Sequence, residues 1–405
     1  MKFNKWTVAL AATGVVSLAS AVQADESHPV NTALSSTTLS GYVDTSAIWN
    51  FGSGYTVANR FANTGADRQD GFNVNTIKLQ LEKPIDEGTW SAGYKVETMF
   101  GPDANVMPGA LTSGVAIKQG YAALRAPIGN GIDFKIGQFD PIVGYEVTDS
   151  YANPNFSRSL GFNNLEPFGH TGILASYQVN DIIGVSAGVA NGDSNFGLNG
   201  GSLTAAGFTS NNNPAGTGFQ SGQVGSSMRG MLAESSKVYM GSVVIKAPES
   251  AGWLSGSSLY VGAVNGDAKG SKNDPTLLYV GVSLATPIKE LSLGASADLL
   301  FNGGGTGALG GSYANAYAFY TGYQITEKLK ANNRFEYATS GYGAFLPGRT
   351  QDKIIGETFT LDYALWSNVL TRGEFRWDRS VDGGANPFDG QKNDLSLTAS
   401  IVYKF

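Results

Sequence analysis

The sequence predicts an all-β chain closed into a transmembrane antiparallel β-barrel of about sixteen strands. Three observations carry this. The last strand has one apolar face and stops on an aromatic, the other end reads as a cleavable leader, and the connections alternate between short and long. At the end of the chain, Leu395, Leu397, Ala399, Ile401, Tyr403 and Phe405 take every second position, with polar residues between them except Val402. Period two is a strand with one greasy face and one wet face. A barrel needs such a strand at its end, because the last strand closes the cylinder against the first.

The N-terminus supplies the second observation. Lys2 and Lys5 form a short basic region, Trp6 to Val16 is apolar, and Val22-Gln23-Ala24 is a small-residue cleavage site. Residues 1–24 therefore read as a secretory signal peptide, with 25–405 as the barrel. The apolar run is too short to span a bilayer as a helix. No other run is long enough, and the mean hydropathy is -0.10. A barrel hides its membrane signal in this way, because lipid-facing and lumen-facing residues alternate. With Cys 0, disulfides and thiolate metal sites are excluded. The expected mature chain carries 25 basic against 33 acidic residues, which gives no electrostatic case for nucleic acid.

Taken in order, the strands expected from period two are 38–50, 72–83, 89–100, 115–126, 132–140, 171–179, 182–191 and 237–247 in the first half. The second half gives 256–265, 276–286, 291–302, 312–325, 329–339, 353–365, 369–379 and 394–405. Short connections such as Pro127–Gly131 and Thr326–Lys328 alternate with long ones such as 51–71, 101–114, 141–170 and 192–236. That is the pattern of periplasmic turns facing extracellular loops, with both termini on the periplasmic side. The loop 192–236 is rich in Gly, Asn and Ser and reads as a long flexible extracellular loop. The loop 141–170 is different. Tyr145, Tyr151, Phe156, Leu160, Phe162 and Phe168 give it material to pack with. A long loop with its own anchors folds against something, and in a barrel the surface at hand is the inner wall. The expectation is a constriction loop inside the pore, with an extracellular cap or a subunit contact as the alternative. Asp140, Glu146, Asp149 and Glu166 would supply its acid and Arg158 its base.

Charge shows which faces turn inward. Lys95 and Glu97 oppose Trp90, Ala92, Tyr94, Val96 and Phe100, and Asp298 lies opposite Leu299 and Phe301. Lys330, Arg334 and Glu336 oppose Phe335 and Tyr337, while Arg372, Glu374, Arg376 and Asp378 oppose Phe375 and Trp377. A charge at the lipid midplane costs a few kcal/mol, so these ten charged residues are expected to line a wet lumen. Trp90, Trp377, Tyr403 and Phe405 lie near strand ends, where aromatic girdles meet the headgroups. One consequence is a basic patch. Lys330, Arg334, Arg372 and Arg376 share two strands separated by one other, about 10 Å apart. The acids of loop 141–170 could face this patch across a wet gap and set up a transverse field. Alternatively, Glu336, Glu374 and Asp378 neutralise it along the wall.

Catalytic signals are weak. Of two histidines, His28 lies in the polar start and His170 at a loop–strand junction, where Ser157 or Ser159 could in principle pair with it. No Gly-x-Ser-x-Gly elbow supports that. Asp382-Gly383-Gly384 and Asp389-Gly390 lack EF-hand spacing and read as turns. Neither cofactor nor metal is expected.

Gln119-Gly120-Tyr121, Gly137-Gln138-Phe139, Gly144-Tyr145-Glu146, Ser157-Arg158-Ser159, His170-Thr171-Gly172 and Asn191-Gly192, with Leu39-Ser40-Gly41-Tyr42-Val43-Asp44, give the chain a further likeness. It resembles the beta-barrel porin-2 family, the OmpL-like outer-membrane proteins. Asp193 follows Gly192 directly, where the family pattern places a Trp between them. The resemblance implies a porin-like pore in the outer membrane of a Gram-negative-type bacterium and brings no catalytic or ligand residues. The terminal aromatic strand likewise resembles the signal read by the outer-membrane assembly machinery. The expected function is passive diffusion of small hydrophilic solutes through a water-filled channel set in outer-membrane lipid, with a homotrimer among the assemblies it allows. The alternatives are a substrate-selective channel, a barrel enzyme with His170 as base, or an adhesin with a plugged lumen.

Overall fold

The computed structural model describes residues 36–51, 71–87, 90–107, 110–112, 114–191, 237–266, 275–303, 312–346, 352–383, 387–388 and 390–405. The segments 1–24, expected as a leader, and 192–236, expected as a flexible loop, lie outside these residues. The period-two segments form one antiparallel sheet, closed on itself. Its first strands are β1 (Thr38–Phe51), β2 (Gly71–Lys83), β3 (Ser91–Phe100), a short β4 (Ala110–Thr112), β5 (Val115–Ala126), β6 (Ile132–Phe139), β7 (His170–Gln178) and β8 (Ile183–Asn191). They continue as β9 (Lys237–Lys246), β10 (Ser258–Asn265), β11 (Thr276–Ala285), β12 (Leu291–Gly303), β13 (Ser312–Gln324), β14 (Leu329–Ser340), β15 (Asp352–Trp366), β16 (Val369–Ser380) and β17 (Asn393–Lys404).

Sixteen of these strands span, each within two residues of its expected bounds. The extra one, β4, is a three-residue rung inside the connection from β3 to β5, where it follows a 3-10 helix at Pro102–Val106. That connection was expected to be a plain extracellular loop. Instead its Ala104 and Met107 form a small buried cluster with Met99, Ala116, Phe162 and Phe168.

The seam closes as the terminal pattern requires. β1 pairs with β17 from Tyr42 opposite Lys404 to Phe51 opposite Leu395. Gly41 and Phe405 exchange both main-chain hydrogen bonds, at 2.9 and 3.0 Å. The last residue is therefore the last rung of the cylinder, and no edge is left open there.

Outward positions carry exposed apolar side chains, among them Leu79, Ile136, Phe319, Phe335, Phe359, Phe375 and Leu397. Tyr323, Tyr363, Trp366, Tyr403 and Phe405 stand exposed near the turn end of the wall, as does Trp90 beside its turn. Inward positions alternate with them. One irregularity re-aims the pattern: the β3–β5 register slips between Glu97 and Thr98, leaving Lys118 as the extra residue on β5. A bulge turns neighbouring side chains to one side, and both Lys118 and Gln119 are buried.

Candidate functional site

The connection from β6 to β7 lies inside the barrel. Backbone removed from water must find partners for its N–H and C=O groups. This loop finds them on the wall. Its α-helical turn, α1 (Leu160–Asn164), begins at Ser159, whose hydroxyl accepts from the Phe162 amide at 3.1 Å. Arg158, fully buried, donates to the carbonyls of Val147, Phe156 and Thr148 at 2.8–2.9 Å and so staples the loop to itself.

The polar stretch 146–159 meets the charged strands. Arg334 on β14 donates to Glu146 at 2.7 Å, to the Ser157 carbonyl at 2.7 Å and to its own neighbour Glu336 at 2.8 Å. Arg372 on β16 donates to the carbonyls of Ser150 and Asn153, both at 2.6 Å, and to Asp362 at 2.8 Å. Arg376 reaches the Arg158 carbonyl at 2.8 Å and is held by Asp378 at 2.6 Å. The acids receive the loop's amides: Glu374 accepts from Phe156 and Ser157 at 2.6 and 2.9 Å, and Glu336 from Leu160 at 2.6 Å. Across the seam, Lys78 on β2 donates to Asp149 at 2.7 Å, and Ser150 donates to Asp44 on β1. The charged wall thus reads the backbone of the loop, cations on its carbonyls and anions on its amides.

The flanking stretches are apolar and sit elsewhere. Ile142, Val143, Tyr145, Leu160 and Leu165 share one buried cluster with Leu174, Met240, Val244, Tyr260, Leu277, Tyr279 and Tyr320 on strands β7 to β13. Tyr145 stacks on Tyr320 at 4.1 Å between ring centroids, and Tyr260 donates to the Ile142 carbonyl. Burial pushes the Tyr145 phenol above its ordinary range. Gly144 takes φ +121, open to glycine, and a Cβ there would collide with the Glu166 carboxyl. Glu166 itself hydrogen-bonds the carboxyl of Asp298 on β12.

The family comparison fits this geometry. Residues 36–405 match the beta-barrel porin-2, OmpL-like family. The chain belongs to this family. It is an outer-membrane β-barrel porin. Solved structures share the fold at low identity. The outer membrane channel DcaP of Acinetobacter baumannii is 12% identical over 91% of this chain and 97% of its own, with TM-score 0.57. An anion-selective porin from Comamonas acidovorans is 12% identical over 91% and 99%, with TM-score 0.56. OmpT of Vibrio cholerae, in its trimer form, is 10% identical over 91% and 99%, with TM-score 0.51. No curated protein sequence matches the chain.

Within this porin, the ten charged wall residues singled out from the sequence lie on inward faces, but most do not meet open lumen. Glu97, Asp298, Arg334, Glu336, Arg372, Glu374, Arg376 and Asp378 are all buried, most of them beneath the loop, while Lys95 and Lys330 are half-buried. The expected wet charged face is in large part a contact surface, because the loop backbone needs the same groups that water would have solvated. The loop's own candidates disperse to different walls. Asp140 pairs with Lys118, Asp149 with Lys78, Glu146 with Arg334 and Glu166 with Asp298, while Arg158 turns back into the loop. The wet gap proposed between loop acids and basic patch is closed here, since Glu146 and Arg334 touch; Glu336 and Asp378 pair along the wall as the alternative had it, but Arg372 pairs with Asp362, while Glu374 turns to the loop amides.

Lys78, Lys118, Asp44, Tyr279 and Tyr320 were missed. Lys78 was legible, since it stands alone between outward Ile77 and Leu79. Lys118 was not, because only the bulge turns it inward. His170 is buried with no hydrogen-bond partner on either ring nitrogen among the described residues. Ser157 is held by Arg334 and Arg376 and Ser159 caps α1, so neither pairs with it. Gly384 and Asp389, in the segments that resemble calcium loops, lie outside the described residues.

Proposed function

We propose that this porin is a passive conduit for small hydrophilic solutes whose bore is set by the segment 141–170, docked against the wall as a constriction loop. The observation that supports it most is the loop's attachment on both sides of the seam, through Arg334 and Arg372 on one side and Lys78 and Asp44 on the other. Held that way, the loop leaves half-buried inward charges on β2 to β6 and at the start of β14. These are Glu82, Lys95, Lys135, Asp140 and Lys330, and solutes would pass along them. Charge of both signs on a wet track favours polar over apolar solutes. The trimer form of the Vibrio cholerae neighbour supports a homotrimer in outer-membrane lipid, delivered there after signal cleavage by the outer-membrane assembly machinery. A hydrolytic role draws no support from the lone His170. The test is single-channel conductance in a planar bilayer for the wild type and for a variant lacking 147–163. The deletion variant is expected to conduct more. Equal conductance would remove the loop from the pathway, and a silent wild type would favour a plugged barrel.

A further inference from the structure

Behind the loop lies a cluster that the conduit does not use. Glu166, two residues beyond α1, meets Asp298 carboxyl to carboxyl, and both are buried to 2% exposure. No Lys, Arg or His among the described residues forms an ion pair with either. Arg334, the cation that pairs with the neighbouring Glu146, is committed to Glu146 and Glu336. The other groups that face the pair are polar or acidic. Of the tyrosines in the same buried cluster, Tyr260 on β10 is committed to the Ile142 carbonyl, and Tyr320 on β13 donates to Glu146 at 3.3 Å. The loop offers Glu146. β11 offers Tyr279, directly across the ladder from Asp298 and fully buried, with its hydroxyl unpartnered. One oxygen of Asp298 is unpartnered too. The fit is close on both sides of the pair, since a Cβ on Gly144 would strike Glu166 and one on Gly161 would strike Asp298.

Two ionised carboxylates offer no proton to bond with and repel each other in a low-dielectric site. Their hydrogen bond therefore requires that one of them carry a proton. We propose that the Glu166–Asp298 pair is a proton-dependent latch, fastening the α1 end of the loop to β12 while it shares a proton and releasing it when that proton is lost as pH rises. This rests on the reading of 141–170 as the constriction. Burial, then the neighbouring Asp298 and Glu146 carboxyls, hold Glu166 well above the ordinary carboxylate range. The docked state thus binds more protons than the undocked one. Docking is then fully favoured below the ordinary carboxyl pKa and weakens as pH climbs toward the raised value, by at most about tenfold in population per pH unit.

The measurement is hydrogen exchange of the amides of 160–168 in the full-length porin in detergent micelles, from about pH 5 to pH 10. The wild type is compared at each pH with Glu166→Gln, whose amide can donate to Asp298 at any pH. The wild-type to variant exchange ratio is expected to sit near one at low pH and rise severalfold or more toward pH 10. Asp298→Asn is expected to flatten the profile in the same way, which guards against a folding defect peculiar to one variant. A ratio that stays level across the range overturns the latch, whatever the channel does. Conductance of the same proteins separates the two readings. A rising exchange ratio with pH-independent wild-type conductance would keep the latch and discard the constriction, whereas a rise of both in the wild type and neither in Glu166→Gln supports the two together.

Discussion

One loop is held by two walls of different character. Against β7 to β13 it lays Ile142, Val143, Tyr145, Leu160 and Leu165 on aliphatic and tyrosine side chains. Against β14 to β16 it is held by charged side chains that bind its main chain, and across the seam by Lys78 and Asp44, which bind its Asp149 and Ser150 side chains. The first contact is non-directional and sets only where bulk is buried. The second is directional, since each guanidinium and carboxylate accepts one arrangement of carbonyls and amides. The difference follows from the order of residues in the loop, with apolar stretches flanking a polar centre. The apolar ends bring the segment into the barrel and the charged wall fixes its backbone within it.

The two walls should fail differently. Arg334→Ala strips the centre of its contacts to Glu146 and Ser157 and leaves Glu146 buried without its cation, while Glu336 keeps only Arg376 at 3.5 Å. Breaking a buried pair from one side costs about 3–5 kcal/mol. The expected result is protease cleavage within 147–163 in an otherwise intact barrel. Resistance equal to the wild type would mean that the charged wall does not hold the loop. Leu165→Ala, a fully buried apolar anchor, is expected to cost somewhat less, about 2–5 kcal/mol depending on how far the site collapses. Its signature is faster exchange near 160–168 with the centre still protected. Cleavage at the centre in this variant would show that the two walls act as one cooperative unit.

The barrel was legible because its determinants are local. Period two and the terminal aromatic strand are each visible within a dozen residues, loop alternation follows once those strands are marked, and β1 meets β17 as they require. That loop 141–170 would pack was also legible, from its aromatics. Its partners were not. Charged inward faces such as Arg372 and Glu374 look the same in sequence whether water or a peptide backbone answers them, and only the fold brings Asn153 or Phe156 to them. Lys118 escaped because a bulge breaks the alternation on which the reading depends. The Glu166–Asp298 contact joins residues far apart in the chain, and nothing local to either announces the other.

A constriction of this kind requires that the loop sit against the wall while the channel conducts. The Asn155 amide donates to the Thr360 hydroxyl on β15 at 2.7 Å, and the chain has Cys 0, so a cysteine pair can be introduced on a clean background. The decisive measurement is single-channel conductance of the Asn155→Cys, Thr360→Cys porin before and after mild oxidation. The two cysteines are expected to cross-link readily and to leave conductance at the reduced level, because the loop is already docked. Failure to cross-link in the folded channel, or a conductance step on oxidation reversed by a thiol, would place the loop elsewhere in the working pore.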